Sequence, residues 1–477
     1  MPSFLTNKQV AVEIAAGVGG RAPRKILDID SDVAYGVGAV NQSLGEITRE
    51  FRKSARSNDW VPMPVRRGKP EPIETELTAK MQAVNYLERF GADDRFNLFV
   101  RYTGGGDPTL PLSYRRIDLL VDVAIAGFNR ENVATDGTDD ETDVILTIPV
   151  NAGQVYRLNP IAGKSVVHGL TGAGDCNITC ITVASDGTIY AGTEADSTGT
   201  HPFVLVSPDG GDTWTSYELS TPTADISAIM IAGNKLFVAT GTAILYTEAV
   251  VNLTGAVWTS TTAAQNVNAL YAIDAANLVA VGAAGMMLMS EDGGGSWSPV
   301  TTGSAATLGC VAFRDINEGY IGGATGTLLK YDQGTISVIA DPTSGATITT
   351  IALPDDPSGG RDQDVYIGTA TGKVFKSFDG GTSWEQMRFP GDNAGTVDAL
   401  VFYGFKGAVL FILHTPVAGS TRVLRDLSGG YGGNTEVEAV STPANSGLNA
   451  LLVANQNLAL AVGDVHSGAS MIISVEA

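Results

Sequence analysis

A chain of 477 residues with 44% apolar side chains has room for more than one domain with a full core. Its three cysteines exclude a scaffold built on disulfides, and 51 acidic residues against 30 basic ones, a net charge of −21, work against nonspecific binding to nucleic acid or anionic membranes. The imbalance is local: residues 1–160 carry 19 Lys and Arg against 22 Asp and Glu, whereas residues 161–477 carry 11 against 29.

The chain opens on MPSFLTNKQVAVEIAAGVGG, with no basic region followed by a sustained apolar run. That reads as no signal peptide, and no apolar span of about 18 residues follows. The expectation is a soluble protein of the cytoplasm unless an assembly carries it out. Residues 15–42 are Gly-rich and polar, which suits an extended arm or an ordinary flexible terminus. EITREFRKSAR (46–56) and the loop VPMPVRRGKPEP (61–72) come next. In PIETELTAKM (72–81) Ile73, Thr75, Leu77, Ala79 and Met81 alternate with Glu74, Glu76, Thr78 and Lys80, the period of a half-buried strand. AVNYLERFGAD (83–93) fits a short helix ended by Gly91, and RFNLFVRYT (95–103) alternates again. SYRRIDLLVDVAIAGFN (113–129), with Asp118 and Asp122 on one face, and TDVILTIPVNAGQVYRL (142–158) complete a small sandwich or barrel flanked by one helix.

EITREFRKSAR, EPIETELTAKMQAVNYLERF and DDETDVILTIPVNAG together resemble the tail-tube (major tail) proteins of long-tailed bacteriophages. The likeness lies in pattern and not in a signature motif. It implies a structural virion protein whose copies join their sheets into rings, six to a ring in that family, stacked through arms such as residues 1–45. Genomic DNA would pass along the lumen without specific binding. The partners it implies are the chain itself, a tape measure and a tail terminator, assembled in the host cytoplasm into the virion tail.

From residue 162 the patterning changes. SPDGGDTW (207–214), SEDGGGSW (290–297) and SFDGGTSW (377–384) share one box, with Ser207, Asp209, Gly211, Thr213 and Trp214 repeated as Ser290, Asp292, Gly294, Ser296 and Trp297, and as Ser377, Asp379, Gly381, Ser383 and Trp384. Each Asp is placed to fold back onto turn N–H groups, the paired glycines supply positive φ, and the Trp opens the next strand with its ring against a neighbouring sheet. The box reads as a structural staple, since a calcium loop needs several spaced oxygen ligands. The box tryptophans lie 83 and 87 residues apart, about twice the ~40–45 residues of a four-stranded propeller blade. Degenerate units fill the gaps. Trp258, in GAVWTSTT, falls 44 residues after Trp214 and 39 before Trp297, and GTLLKYDQGTISVIA (326–340) keeps only an Asp-x-Gly remnant.

Seven units result: six begin near residues 177, 268, 308, 348, 397 and 448, the degenerate unit around Trp258 stands between the first two of these, and the last stops after its third strand. AGKSVVHGL (162–170) resembles the fourth strands WTSYELS and WSPVTTG, so it is expected to complete the last blade and close the ring. The repeats resemble Asp-box (BNR) propellers, most of all those of photosystem II assembly factors. The fold expected is therefore mainly β: a tail-tube-like domain over 1–160 and a seven-bladed propeller over 162–477, the latter an outward-facing decoration.

Asp-box propellers include sialidases, which need an arginine triad, a Tyr–Glu nucleophile pair and an acidic acid/base. The Arg-Ile-Pro segment typical of that family is missing, and the propeller has only five arginines: Arg314, Arg361, Arg388, Arg422 and Arg425. Cys176, Cys180 and Cys310 read as small buried residues. No enzymatic activity, cofactor or metal is expected. A host-glycan-binding role for the propeller is the alternative, with Tyr320, Tyr403 and Tyr431 as aromatic contacts or, more simply, as blade packing.

Overall fold

The computed structural model describes, in residues 1–175, twelve strands, and from Cys176 onward all but residues 196–200, 222, 356–360, 390–391, 405–406, 408, 418–420, 427–428, 431–437, 442–446, 456–457, 467–468 and 477. The chain divides into two compact units, Met1–Pro160 and Ile161–Ala477. The described residues are mainly strand, with two single-turn 3-10 helices, Ala283–Gly285 and Ala324–Gly326.

In the first unit, antiparallel pairing runs through Arg24–Leu27, Val10–Ala16, Phe96–Thr103, Tyr114–Ile125, Val144–Ala152, Ile73–Ala79 and Val37–Gln42. Gln154–Leu158 adds to Tyr114–Ile125 and Asn129–Asn132 to Val144–Ala152, while Phe51–Lys53 and Trp60–Pro62 form a separate hairpin. Residues 1–45 contribute three strands to the sheet. One sequence expectation changes here. The single strand expected over 142–158 is two, Val144–Ala152 and Gln154–Leu158: both pair with Tyr114–Ile125, and only the first also pairs with Ile73–Ala79. Losing one of two neighbours within one apolar run leaves the period-2 pattern intact, so the pattern alone does not reveal it. The helix expected over 83–93 lies outside the described residues.

The second unit is a seven-bladed propeller of four-stranded antiparallel sheets. The first strands of blades 1 to 7 are Ile178–Val183, Ile226–Ala232, Val267–Ala272, Leu308–Phe313, Ile348–Ala352, Thr396–Tyr403 and Leu448–Asn455. Second strands such as Leu278–Gly282, Val365–Thr369 and Val409–Thr415 are buried almost throughout, because blades pack on both of their faces. They therefore read as continuous apolar runs and not as alternations. Fourth strands such as Thr215–Glu218 and Thr259–Thr262 are mostly exposed and polar. The fourth strand of the last blade is Val166–Val167, paired with Ser474 and Ile473, so the ring closes with chain from the other end of the repeat.

Every first strand carries a β-bulge at the same place, skipping Thr179, Ser227, Asn268, Gly309, Thr349, Asp398 and Asn449. A bulge re-aims the skipped side chain. Here it aims at the next blade. Thr179 Oγ1 donates to the Ile226 carbonyl (2.5 Å), Ser227 Oγ to Val267 (2.6 Å), Asn268 Nδ2 to Leu308 (2.8 Å) and Thr349 Oγ1 to Val397 (2.5 Å). Asn449 Nδ2 donates to Ile178 (3.0 Å) and joins blade 7 to blade 1. At Gly309, which has no side chain, the adjacent Cys310 thiol makes the weaker contact to Ile348, at 3.7 Å. The sixth place is held by Asp398.

Candidate functional site

The three repeated boxes connect the third and fourth strands of blades 1, 3 and 5 and share one hydrogen-bond pattern. The Ser207, Ser290 and Ser377 hydroxyls accept from the Gly211, Gly294 and Gly381 N–H at 2.8–2.9 Å and donate to Oδ1 of Asp209, Asp292 and Asp379. The same Oδ1 accepts the Thr213, Ser296 or Ser383 N–H, and Oδ2 accepts that residue's hydroxyl at 2.5, 2.7 and 2.5 Å. Each carboxylate is thus saturated by donors from its own turn. Those donors, the hydroxyls of Thr213 and Ser296 foremost, hold Asp209 and Asp292 down to about 2, and the Ser383 hydroxyl lowers Asp379 in the same way. Both central glycines of each box have positive φ: 77° and 106°, 67° and 83°, 67° and 91°.

The boxes also rivet neighbouring blades. The half-buried Trp214 packs in a core with Val462 and Ile472 of blade 7, Trp297 with Phe237 and Met230 of blade 2, and Trp384 with Tyr320 and Ile351 of blades 4 and 5. Trp258 of blade 2 keeps that packing place, against Tyr190 and Val204 of blade 1, although its turn has lost the acidic box. Trp214 and Trp384 donate their indole N–H to Gly211 and Gly381 carbonyls at 2.9 and 3.1 Å, whereas the buried Trp297 Nε1 has no partner. Lys235 of blade 2 reaches the Gly293 carbonyl at 2.8 Å, so the second box is tied to its neighbour by a polar contact as well.

A Tyr–Glu pair does exist in the fold. Tyr320 donates to Glu318 at 2.8 Å, and Lys330 pairs with the same carboxylate at 2.9 Å. The tyrosine is fully buried between blades, and burial together with Glu318 pushes its phenol up to about 12, the opposite of an activated nucleophile. Of the two readings of Tyr320, blade packing holds and an exposed glycan contact does not, because the ring belongs to the core. Two arginines meet at Asp364: Arg314 donates to its carbonyl (2.7 Å) and Arg361 to its carboxylate (2.6 Å). Arg361 is buried and also donates to the Tyr366 hydroxyl and to the Gly407 and Gly429 carbonyls, so its guanidinium ties blade 5 to blade 6.

A cavity of about 1060 Å³ opens among the first-to-second-strand loops of blades 3 to 6. In an antiparallel four-stranded blade these loops lie at the same end as the third-to-fourth-strand turns that hold the repeated boxes. Tyr271, Phe313, Phe402 and Tyr403 supply its aromatic lining, with Arg314, Asp315, Glu318, Asp355 and Asp362 around them. Tyr271 is anchored by donating to the Phe313 carbonyl at 2.8 Å, and Asp315 is occupied in its own turn by the Asn317 and Glu318 N–H groups. Among the described residues Asp355 and Asp362 make no ion pair. Aromatic edges under a net negative charge favour neutral or cationic ligands. Sequence reasoning missed this grouping, since its members are spread over four blades and only ring closure collects them. Tyr431 lies outside the described residues.

Elsewhere the chemistry is muted. None of the three cysteines forms a disulfide, and burial pushes the Cys180 and Cys310 thiols up to about 11 and about 12. The described residues hold no cluster of three or more metal-ligating side chains. They also contain no helix long and apolar enough to cross a membrane.

Compared with known proteins, residues 178–308 match the family model described as the DUF6242 beta propeller domain. No curated protein matches the sequence. Similar solved structures include YCF48 bound to D1 peptide, at 12% identity and a TM-score of 0.49, covering 66% of this chain and 97% of that one. YCF48 from Cyanidioschyzon merolae has 12% identity and a TM-score of 0.48, over 65% and 98% of the two chains. Sqt1 from Chaetomium thermophilum has 13% identity and a TM-score of 0.45, over 65% and 100%.

Proposed function

We propose that the protein is a structural, non-enzymatic subunit of a long phage tail, in which residues 1–160 assemble copies of the chain into stacked rings and the propeller is carried as a decoration. The strand order of the first unit supports this reading. Arg24–Leu27 and Val37–Gln42 end the order on its two sides, each paired on one side only among the described strands. Sheet edges of that kind invite pairing with another chain, and a ring that joins sheet to sheet uses them up. The acid-rich propeller, with 29 Asp and Glu against 11 Lys and Arg, suits a repelling, solvated exterior and not a DNA-contacting one. Its partners on this reading are the chain itself, a tape measure and a tail terminator, and its place is the virion tail.

Negative-stain electron microscopy of the concentrated full chain tests it. Hollow tubes of uniform diameter support the proposal; dispersed particles at every concentration overturn it. A second reading is favoured by the aromatic cavity, which suits a propeller that recognises uncharged host glycans in a minor tail protein. Dispersed particles that bind neutral glycans on an array, and lose binding in Tyr403→Ala, would select that reading.

A further inference from the structure

The ring of interblade hydrogen bonds at the first-strand bulges has one place where the residue type and the task disagree. Five of the seven places hold a permanent donor, Thr179, Ser227, Asn268, Thr349 or Asn449, each serving the carbonyl of the residue that precedes the next blade's bulge. For blade 6 that carbonyl belongs to Leu448, a buried residue paired with Gly463, and the side chain at the donor place is Asp398. An ionised carboxylate accepts hydrogen bonds and donates none; a neutral carboxylic acid has one O–H to give. One oxygen, Oδ2, is already engaged, because Thr415 Oγ1 donates to it at 2.6 Å.

We propose that Asp398 is a protonation-controlled link between blades 6 and 7: as the neutral acid it donates to the Leu448 carbonyl and completes the ring, and as the carboxylate it leaves that interface open.

The surroundings favour the neutral form. Burial pushes Asp398 up to about 6, opposed only by the Thr415 hydroxyl. The elements packed against Thr396–Tyr403 bring few titratable groups to it. Ile348–Ala352 and Leu448–Asn455 have none, Val365–Thr369 has Tyr366, whose hydroxyl is bonded to Arg361, and Val409–Thr415 has His414, whose Nε2 contacts the Ala394 carbonyl. Arg422 approaches that histidine's Nδ1 at 3.4 Å, and the carboxylate of blade 7 at this level, Asp464, is held by Asn449 at 3.1 Å. With the folded value above the ordinary one near 3.8, the stabilisation is complete below about pH 3.8 and is lost as pH rises through about 6. A shift of that size lowers the folding constant by up to about a hundredfold across the window.

The test is urea unfolding of the full chain between pH 4.5 and 8, wild type beside Asp398→Asn. Asparagine supplies a permanent donor, as Asn268 and Asn449 do at equivalent places. Wild type is expected to lose stability through pH 6 and the variant to lack that component of the slope. Equal slopes in both overturn the proposal. Should the variant fail to fold, carbon-13 NMR of the Asp398 carboxyl in the wild-type chain decides: a midpoint near 6 supports the link, and one near 4 refutes it. A readout on that fold is independent of whether the protein forms tubes.

Discussion

Replacing Gly294 by Ala probes the feature that makes the repeated box more than a turn. At this glycine φ is +83°, and an added Cβ would lie 2.4 and 2.7 Å from ring carbons of Phe237, a fully buried residue of blade 2. The left-handed backbone costs a non-glycine residue roughly 1–2 kcal/mol, and forcing a methyl into a packed core adds roughly 1–3 kcal/mol. The expected loss is about 3 kcal/mol. The repeat provides its own controls. Gly210, with φ +77° and open space around its Cβ position, isolates the backbone cost. Gly211 and Gly381 meet the ends of flexible chains, Leu460 at 3.0 Å and Ile339 at 2.9 Å, which can shift aside. The losses should therefore rank Gly294 first, Gly381 and Gly211 next, and Gly210 last, near 1 kcal/mol. Urea unfolding followed by tryptophan emission reads this directly, because every tryptophan except Trp60 lies in the propeller. Equal losses at Gly294 and Gly210 would refute the argument that the box is pressed against the neighbouring blade.

Trp214→Phe and Trp384→Phe should each cost about 1 kcal/mol more than Trp297→Phe, since only the first two lose an indole hydrogen bond, and matched urea titrations check it. Arg361→Met leaves Asp364 as a buried charge without its main partner and should destabilise by about 3–5 kcal/mol; adding Asp364→Leu should recover part of that in a double-mutant cycle. Deleting residues 162–170 removes the strand paired with Ser474 and Ile473, so the propeller should melt earlier in calorimetry, and an unchanged transition would mean that closure contributes nothing. Asp209 and Asp292 titrate near 2 in the fold, below the ordinary 3.8, so their stabilisation is present above about pH 3.8 and lost as pH falls toward 2. Changing both to Asn should flatten the acid limb of the stability–pH curve.

The propeller was readable because a repeat writes its rules several times over. Box spacing set the blade length, and a last unit one strand short pointed to closure by an earlier segment, where Val166–Val167 pairs with the final strand. The box chemistry was equally local: Ser, Asp, glycines and hydroxyl all bond within eight residues. What the sequence left undetermined depends on neighbours far along the chain. Gly294 pressed on Phe237, Arg361 spanning blades 5 and 6, and the cavity lined from four blades need the ring to close before their members meet. Tyr320 shows the same limit, since one aromatic residue in a strand serves equally as a surface contact or a core filler until the next blade covers it. Asp398 is the sharpest case. In sequence it is one more acid among 51, and only the bulge register, repeated seven times around the axis, places it where a donor belongs.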